Sequence, residues 1–264
     1  MNKNEFNILR DRIYANTGIK LEDKKKTLLE TRLAKRLRIL NLNNFSEYID
    51  YLDNATTLEE WNNLVEEVST NTTHFFREEA HFEILKDYLK QEVLSGNKKI
   101  RMWCGAASSG QEPWSLMITA RRAGISHSFD FKLLSTDINR TVLEQGRKGV
   151  YNSKEISSLP VEFKTKYFSN NGDFYTIKQS LKPQAYFACM NLKKSPYLMS
   201  GPFDVIFIRN VMIYFDNSLR TVIVKECKRL LKQGGLLFVG HAESLVAQLV
   251  DGFEKVAPSV FRKL

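Results

Sequence analysis

From residue 98 onward, short apolar runs alternate with helical segments, and that alternation leaves few folds open. Lys99-Ile100-Arg101-Met102-Trp103-Cys104 reads as a strand, and Pro113 to Arg122 as a helix with proline in its first turn, where a missing N–H costs little. Phe129 to Thr136 is a second strand, followed by a helix over Ile138 to Gly146. Phe203 to Ile208 is apolar at nearly every position, the mark of a strand buried on both faces. Ser218 to Leu231 is a helix stopped by Gln233-Gly234-Gly235, and Leu236 to Val239 is a further strand. Strands alternating with helices predict an α/β fold, a doubly wound parallel sheet with helices on both faces. One stretch breaks the rhythm. Between about 160 and 190, Asn170-Asn171-Gly172-Asp173 separates strand-like aromatic runs, which predicts a small antiparallel insertion.

The first seventy residues carry helical periodicity instead. Phe6, Leu9 and Ile13 share one face of a helix that stops near Gly18. Leu29, Leu33, Leu37 and Leu40 mark a second, Phe45 to Leu52 a third, and Thr57-x-x-Glu60 is a capping box opening a fourth through Trp61, Leu64 and Val68. These predict a small all-helical domain over 1–70, a linker and connecting helix over 71–97, and the α/β domain over 98–264. No repeats or low-complexity linkers interrupt the chain.

Charge is concentrated rather than spread. Residues 24–38 hold seven Lys or Arg against one acid, whereas residues 39–70 hold seven acids and no Lys or Arg. Lys25, Arg32 and Arg36 form a stripe beside the leucine face. They are the solvated flank of a bundle helix or a docking surface for an acidic partner. The formal net charge of +9 permits nucleic acid, an acidic protein or an anionic ligand. Three scattered cysteines are no disulfide framework, and the four histidines show no metal-ligand spacing, so no metal is expected. No apolar run approaches the roughly 18 residues of a membrane span, and the first residues lack a signal-peptide core. A cytoplasmic protein without membrane insertion is expected.

Five stretches carry chemistry. Trp103-Cys104-Gly105-Ala106-Ala107-Ser108-Ser109-Gly110-Gln111-Glu112 joins a strand to a helix with small residues, which let the backbone approach a ligand. It is neither a dinucleotide GxGxxG nor a GxxxxGK[ST] phosphate loop. Asp137 ends the next strand, where an acid either accepts hydrogen bonds from ribose hydroxyls or caps the following helix. Ser69 to Glu78 joins the two domains, a common place for a cleft. Its hydroxyls suit helix capping, which explains Arg77 less well. Arg209-Asn210 follows the most buried strand and faces the ligand crevice of such sheets, with Tyr214 beyond it. Gly240-His241-Ala242-Glu243-Ser244 follows the last clear strand.

Together TNTTHFFRE, WCGAASSGQEPWS, STDIN with GRKGVY, FDVIFIRNVMIYF and GHAES resemble, in order, the chemotaxis receptor methyltransferase family of the CheR type. The basic segment KKKTLLETRLAKRLR resembles the family's N-terminal domain, so the resemblance spans nearly the whole chain. It implies a Rossmann-like, S-adenosylmethionine (SAM)-dependent methyltransferase fold. It also implies SAM as methyl donor, S-adenosylhomocysteine as product, and chemoreceptor glutamates as acceptors, on the receptors' cytoplasmic helical region. By the same resemblance Asn71, Thr73 and Arg77 contact the donor, Glu112 holds its ammonium end and Asp137 its ribose. Asn191 and Leu192 lie near the adenine, Arg209 and Asn210 line the donor, and Arg77 and Tyr214 stand nearest the transferred methyl. It turns the basic stripe, with Arg32, Lys35 and Arg36, towards receptor helices. In some relatives the β insertion binds a peptide at the receptor C-terminus, and the short hairpin here predicts an enzyme independent of it. The rival readings are a nucleic-acid or other protein methyltransferase and a non-catalytic SAM-binding sensor. The absence of an aromatic-interleaved nucleic-acid motif and the presence of both Arg77 and Tyr214 favour the receptor enzyme, and a monomer is expected.

Overall fold

The computed structural model describes residues 1–54, 59–249 and 251–264. The chain opens with α1 (Lys3–Thr17), α2 (Lys26–Leu40), α3 (Phe45–Asn54) and α4 (Glu59–Val68). A capping box starts α1: the Asn2 side chain accepts from the Glu5 N–H at 2.9 Å, and the Glu5 carboxylate accepts from the Asn2 N–H at 2.6 Å. Gly18 stops it at φ 77°, a left-handed position that favours glycine. Phe6, Leu9, Ile13, Leu29, Leu33, Tyr48, Leu52 and Leu64 seal one core. Thr57 of the expected capping box lies outside the described residues.

A connecting helix, α5 (Ala80–Leu94), leads into β1 (Lys99–Gly105), α6 (Gln111–Arg122), β2 (Asp130–Asp137) and α7 (Arg140–Lys148). Then come β3 (Val150–Asn152), α8 (Val161–Tyr167), β4 (Phe168–Asn171), β5 (Phe174–Ile177) and β6 (Ala185–Cys189). The chain closes with β7 (Phe203–Ile208), α9 (Asn217–Leu230), β8 (Leu231–Val239), β9 (Phe253–Ala257) and β10 (Val260–Lys263). The main sheet has the order β6-β2-β1-β7-β8-β10-β9. Its first five strands are parallel and β10 pairs antiparallel with both β8 and β9, so the sheet is mixed rather than parallel throughout.

Period-two alternation sorts the strands between two cores. Met102, Cys104, Val205, Phe207, Leu236 and Phe238 face α5 and α6. Trp103, Ile206, Ile208, Leu237 and Val239 face α9. Both faces are covered, which is why β7 reads as a nearly continuous apolar run.

The insertion is real, but its limits differ from the expectation. Its sheet has the order β3-β5-β4, so β3 enters from upstream of residue 160. β6 belongs to the main sheet, where it pairs with β2. The β4–β5 hairpin turns at Gly172, φ 77°, with Asn171 opposite Phe174, as a two-residue loop requires.

Candidate functional site

The strand order reverses between β1 and β7, and in open α/β sheets ligands bind beyond the carboxyl ends of the strands at that switch point. Here the loops after β1, β2 and β7 meet the 69–77 junction and the end of α1. They enclose about 870 Å³ of space open to solvent on one side. Asn71, Thr73, Arg77, Glu112, Asp137, Asn191, Leu192, Arg209, Asn210 and Tyr214 all line it.

The loop after β1 is tight. Ala106 and Ser108 adopt φ of 59° and 49°, left-handed values uncommon for residues other than glycine. Ser108 N–H donates to Asp137 Oδ2 at 2.8 Å, and its hydroxyl to the Asn71 carbonyl at 2.9 Å. Gly105 serves packing instead of lining: a Cβ there would stand 2.3 Å from Ile208 Cδ1, so glycine lets β1 and β7 close up. Asp137 Oδ1 accepts from Asn139 N–H at 2.8 Å. The cap of α7 is Asn139, whose side chain accepts from Val142 N–H, and this leaves Asp137 at the cavity wall. Burial pushes the Asp137 carboxyl above its ordinary range, against the backbone N–H groups of Asn139, Ser108 and Ile138.

Arg209 organises the back of the cavity. Its side chain has no solvent exposure and lies between two acids, Nη1 3.0 Å from Glu112 Oε2 and Nη2 3.2 Å from Glu78 Oε2. Nη2 also donates to the Arg77 carbonyl at 2.5 Å. The rings of Phe82 and Phe207 each lie 5.6 Å from the guanidinium. Burial raises the Glu112 carboxyl, with Arg209 opposing the rise. Burial also pulls Glu78 upward, but Arg209, Asn210 and His241 outweigh it and hold Glu78 below the ordinary carboxylate range. Arg77 donates to the Thr72 carbonyl at 3.2 Å between two left-handed residues, Phe76 and Glu78. Glu243 is a framework group of the GHAES stretch. It accepts from the N–H groups of Asn210 at 2.7 Å, Gly240 at 2.8 Å and Ile213 at 3.2 Å, which fixes the loop that carries Tyr214.

The helical domain completes the wall. Thr17 and Ile19 line the cavity, and sequence reasoning did not select them. Asn191 Nδ2 donates to the Asn16 carbonyl at 2.7 Å, and Lys193 Nζ donates to the carbonyls of Tyr14, at 2.9 Å, and Ala15. A cation from the α/β domain thus meets the carbonyl end of α1, where the helix dipole favours positive charge. A second, narrow recess, about 430 Å³ including space open to solvent, adjoins the first and shares Ile19, Thr70 and Tyr214 with it. Lys25, just before α2, and Leu28 and Arg32 on it line this recess.

The basic stripe divides. Arg36 makes two bonds to buried Glu60, at 3.1 and 2.5 Å, and Arg32 donates to the Glu67 and Ser69 carbonyls at 2.7 and 3.3 Å. Both guanidiniums are engaged inside the helical domain, which corrects their expected place on an open docking face. Lys35 is exposed.

An acid at the sheet end, a second acid beside a buried arginine, and apolar Ile138, Met190 and Leu192 suit a ligand with a diol, a cationic group and a flat apolar ring. Comparisons with known proteins agree. Residues 71–261 match the SAM binding domain of CheR methyltransferases, and residues 4–69 match that family's all-alpha domain. A chemotaxis protein methyltransferase of Borreliella burgdorferi is 36% identical, over 99% of this chain and 94% of its own. The chemotaxis protein methyltransferase 2 of Pseudomonas aeruginosa is also 36% identical, over 92% of this chain and 88% of its own. One from Escherichia coli matches at 36% over 90% of this chain and 84% of its own. With an all-alpha domain in front of a SAM binding domain, and a cavity built between them, the chain belongs to the CheR methyltransferase family of enzymes.

Proposed function

We propose that the protein transfers the methyl group of SAM to glutamate side chains of chemoreceptors, forming the γ-glutamyl methyl esters of sensory adaptation. The observation that carries the proposal is the pair of adjoining cavities that share Tyr214: one lined by acids for a cationic donor, the other opening onto basic α2. The names of the relatives point to the same pathway.

The residues fit the donor. Asp137 accepts from the ribose hydroxyls, and Glu112 takes the ammonium group, helped by Asn71 and Thr73 along the same wall. Asn191 and Leu192 border the adenine with Met190. Arg209 and Asn210 form the floor, and Arg209 fixes both Glu112 and the Arg77 backbone. When bound, SAM supplies an electrophilic methyl on its sulfonium and leaves as S-adenosylhomocysteine once the acceptor oxygen has taken that methyl. A glutamate carboxyl, with an ordinary pKa of about 4.3, is already ionised at neutral pH, so the chain needs no general base. Its work is alignment of carboxylate oxygen, methyl carbon and sulfur. Arg77 orients the carboxylate from one side, and Tyr214 holds the methyl region where the two cavities meet. The acceptor helix lies along α2, drawn by Lys35 and by Lys25 at the cavity mouth. The four-residue strands of the β4–β5 hairpin support catalysis without a receptor C-terminal peptide.

Rates at saturating donor test these roles. Arg77→Ala should lower turnover on the order of 10²-fold, the scale set by lost alignment, and Tyr214→Phe should lower it less. Wild-type rates in both variants would remove these residues from the reaction centre.

A further inference from the structure

Behind the donor cavity stands a group that the methyl transfer does not use. Glu78 Oε2, His81 Nδ1 and His241 Nε2 lie within 4.8 Å of one another. Glu78 Oε2 is 3.5 Å from His81 Nδ1 and 3.7 Å from His241 Nε2. The other Glu78 oxygen is occupied, accepting from Asn210 Nδ2 at 3.2 Å and from the His241 backbone N–H at 3.4 Å.

The His81 ring is the informative member. It is 1% exposed, and its Nε2 sits 3.3 Å from the Pro258 carbonyl. A carbonyl only accepts, so the Nε2 proton points at it, and in the neutral ring Nδ1 then carries a lone pair. That lone pair faces the Glu78 carboxylate, an acceptor against an acceptor. Both buried atoms lack a hydrogen-bond partner. The opposite tautomer only moves the conflict to the carbonyl. A metal cation held between the two atoms relieves it. A histidine that gives one N–H to a carbonyl and turns the other nitrogen to a carboxylate has the arrangement of a metal ligand held by its outer shell.

We propose that Glu78, His81 and His241 bind one divalent transition-metal ion of the Zn²⁺ class. Two imidazole nitrogens and one carboxylate oxygen form a three-ligand set that leaves a fourth position for water. His241 is 58% exposed and provides the entry. Arg209 Nη2 shares Glu78 Oε2, which weakens the site relative to the same set with a free carboxylate. The ion ties the start of α5 and the segment that carries Arg77 to the loop after β8. The spacing rules missed it because 160 residues separate His81 from His241 in the chain.

The test uses the chelator-treated full chain without donor, titrated with Zn²⁺ by calorimetry and with Co²⁺ by visible absorption. One saturable equivalent is expected, with a Co²⁺ spectrum free of thiolate charge-transfer bands. Affinity should fall about tenfold or more in His241→Ala, a surface change, and likewise in Glu78→Gln. Circular dichroism checks that each variant is folded. No saturable equivalent, unchanged affinity in folded His241→Ala, or binding abolished by Cys189→Ser would overturn the proposal.

Discussion

Arg209 carries a full charge with no solvent exposure, a costly arrangement unless its partners are fixed. Glu112 and Glu78 are those partners, and they tie Arg77, the donor wall and the sheet into one unit. Position at a strand end picked out Asp137, Arg209 and Asn210 from sequence, since ligands gather there. Glu78 and Glu243 were not separable from other acids, because their roles depend on loops that meet only in three dimensions. The site acids also set a pH response. Glu112 and Asp137 are both raised, chiefly by burial, so each takes up a proton at a higher pH than an exposed carboxyl. A cationic donor prefers them ionised. SAM affinity should therefore weaken as pH falls from about 7 towards the ordinary carboxylate range near 4. Calorimetry across that range should show a flatter response in Glu112→Gln, at lower overall affinity.

At the level of elements, α2 shows how far periodicity reaches. Its leucine face and basic flank were readable, and Leu29 and Leu33 are buried as that face requires. The partners of the flank were not, because Glu60 and the α4 carbonyls come from a helix 24 or more residues downstream. Two substitutions separate structure from docking. Arg36→Ala leaves Glu60 buried and short of its main partner, and should cost about 3 kcal/mol in denaturant unfolding. Glu60 is held below its ordinary range, where Arg36, Asn63 and Tyr48 together outweigh the upward pull of burial. The stability from this group is thus present above its unfolded pKa, about 4.3, and is lost as pH falls through the lower folded value. Lys35→Ala should leave stability within about 0.5 kcal/mol. It should raise the receptor Michaelis constant, and the difference from wild type should shrink with added salt. The strand content followed a similar rule. β7 was legible from a nearly continuous apolar run and β1 and β2 from shorter apolar stretches, whereas three-residue β3 and half-exposed β6 carry too little pattern to assign to a sheet.

Across the whole molecule, the candidate site draws on both domains. The α/β domain supplies the acids and the arginine, and the helical domain supplies Thr17, Ile19 and the α2 mouth. Lys193 on the end of α1, and the hydrogen bond from Tyr14 to Asp216, hold the two together. The order of the domains was visible in the change of hydrophobic period near residue 98. Their shared wall was not, since no local pattern says that the end of α1 meets the segments after β6 and β7. Among the described residues no helix is long and apolar enough to cross a membrane. The central claim is the bond that this assembly makes. Incubating the protein with methyl-labelled SAM and receptor-containing membranes, then treating with mild base, reads that bond directly. The account predicts label on the receptor, released by base and absent when the receptor's methylated glutamates are replaced by alanine. Label that resists base, or that persists on the alanine receptor, would contradict it.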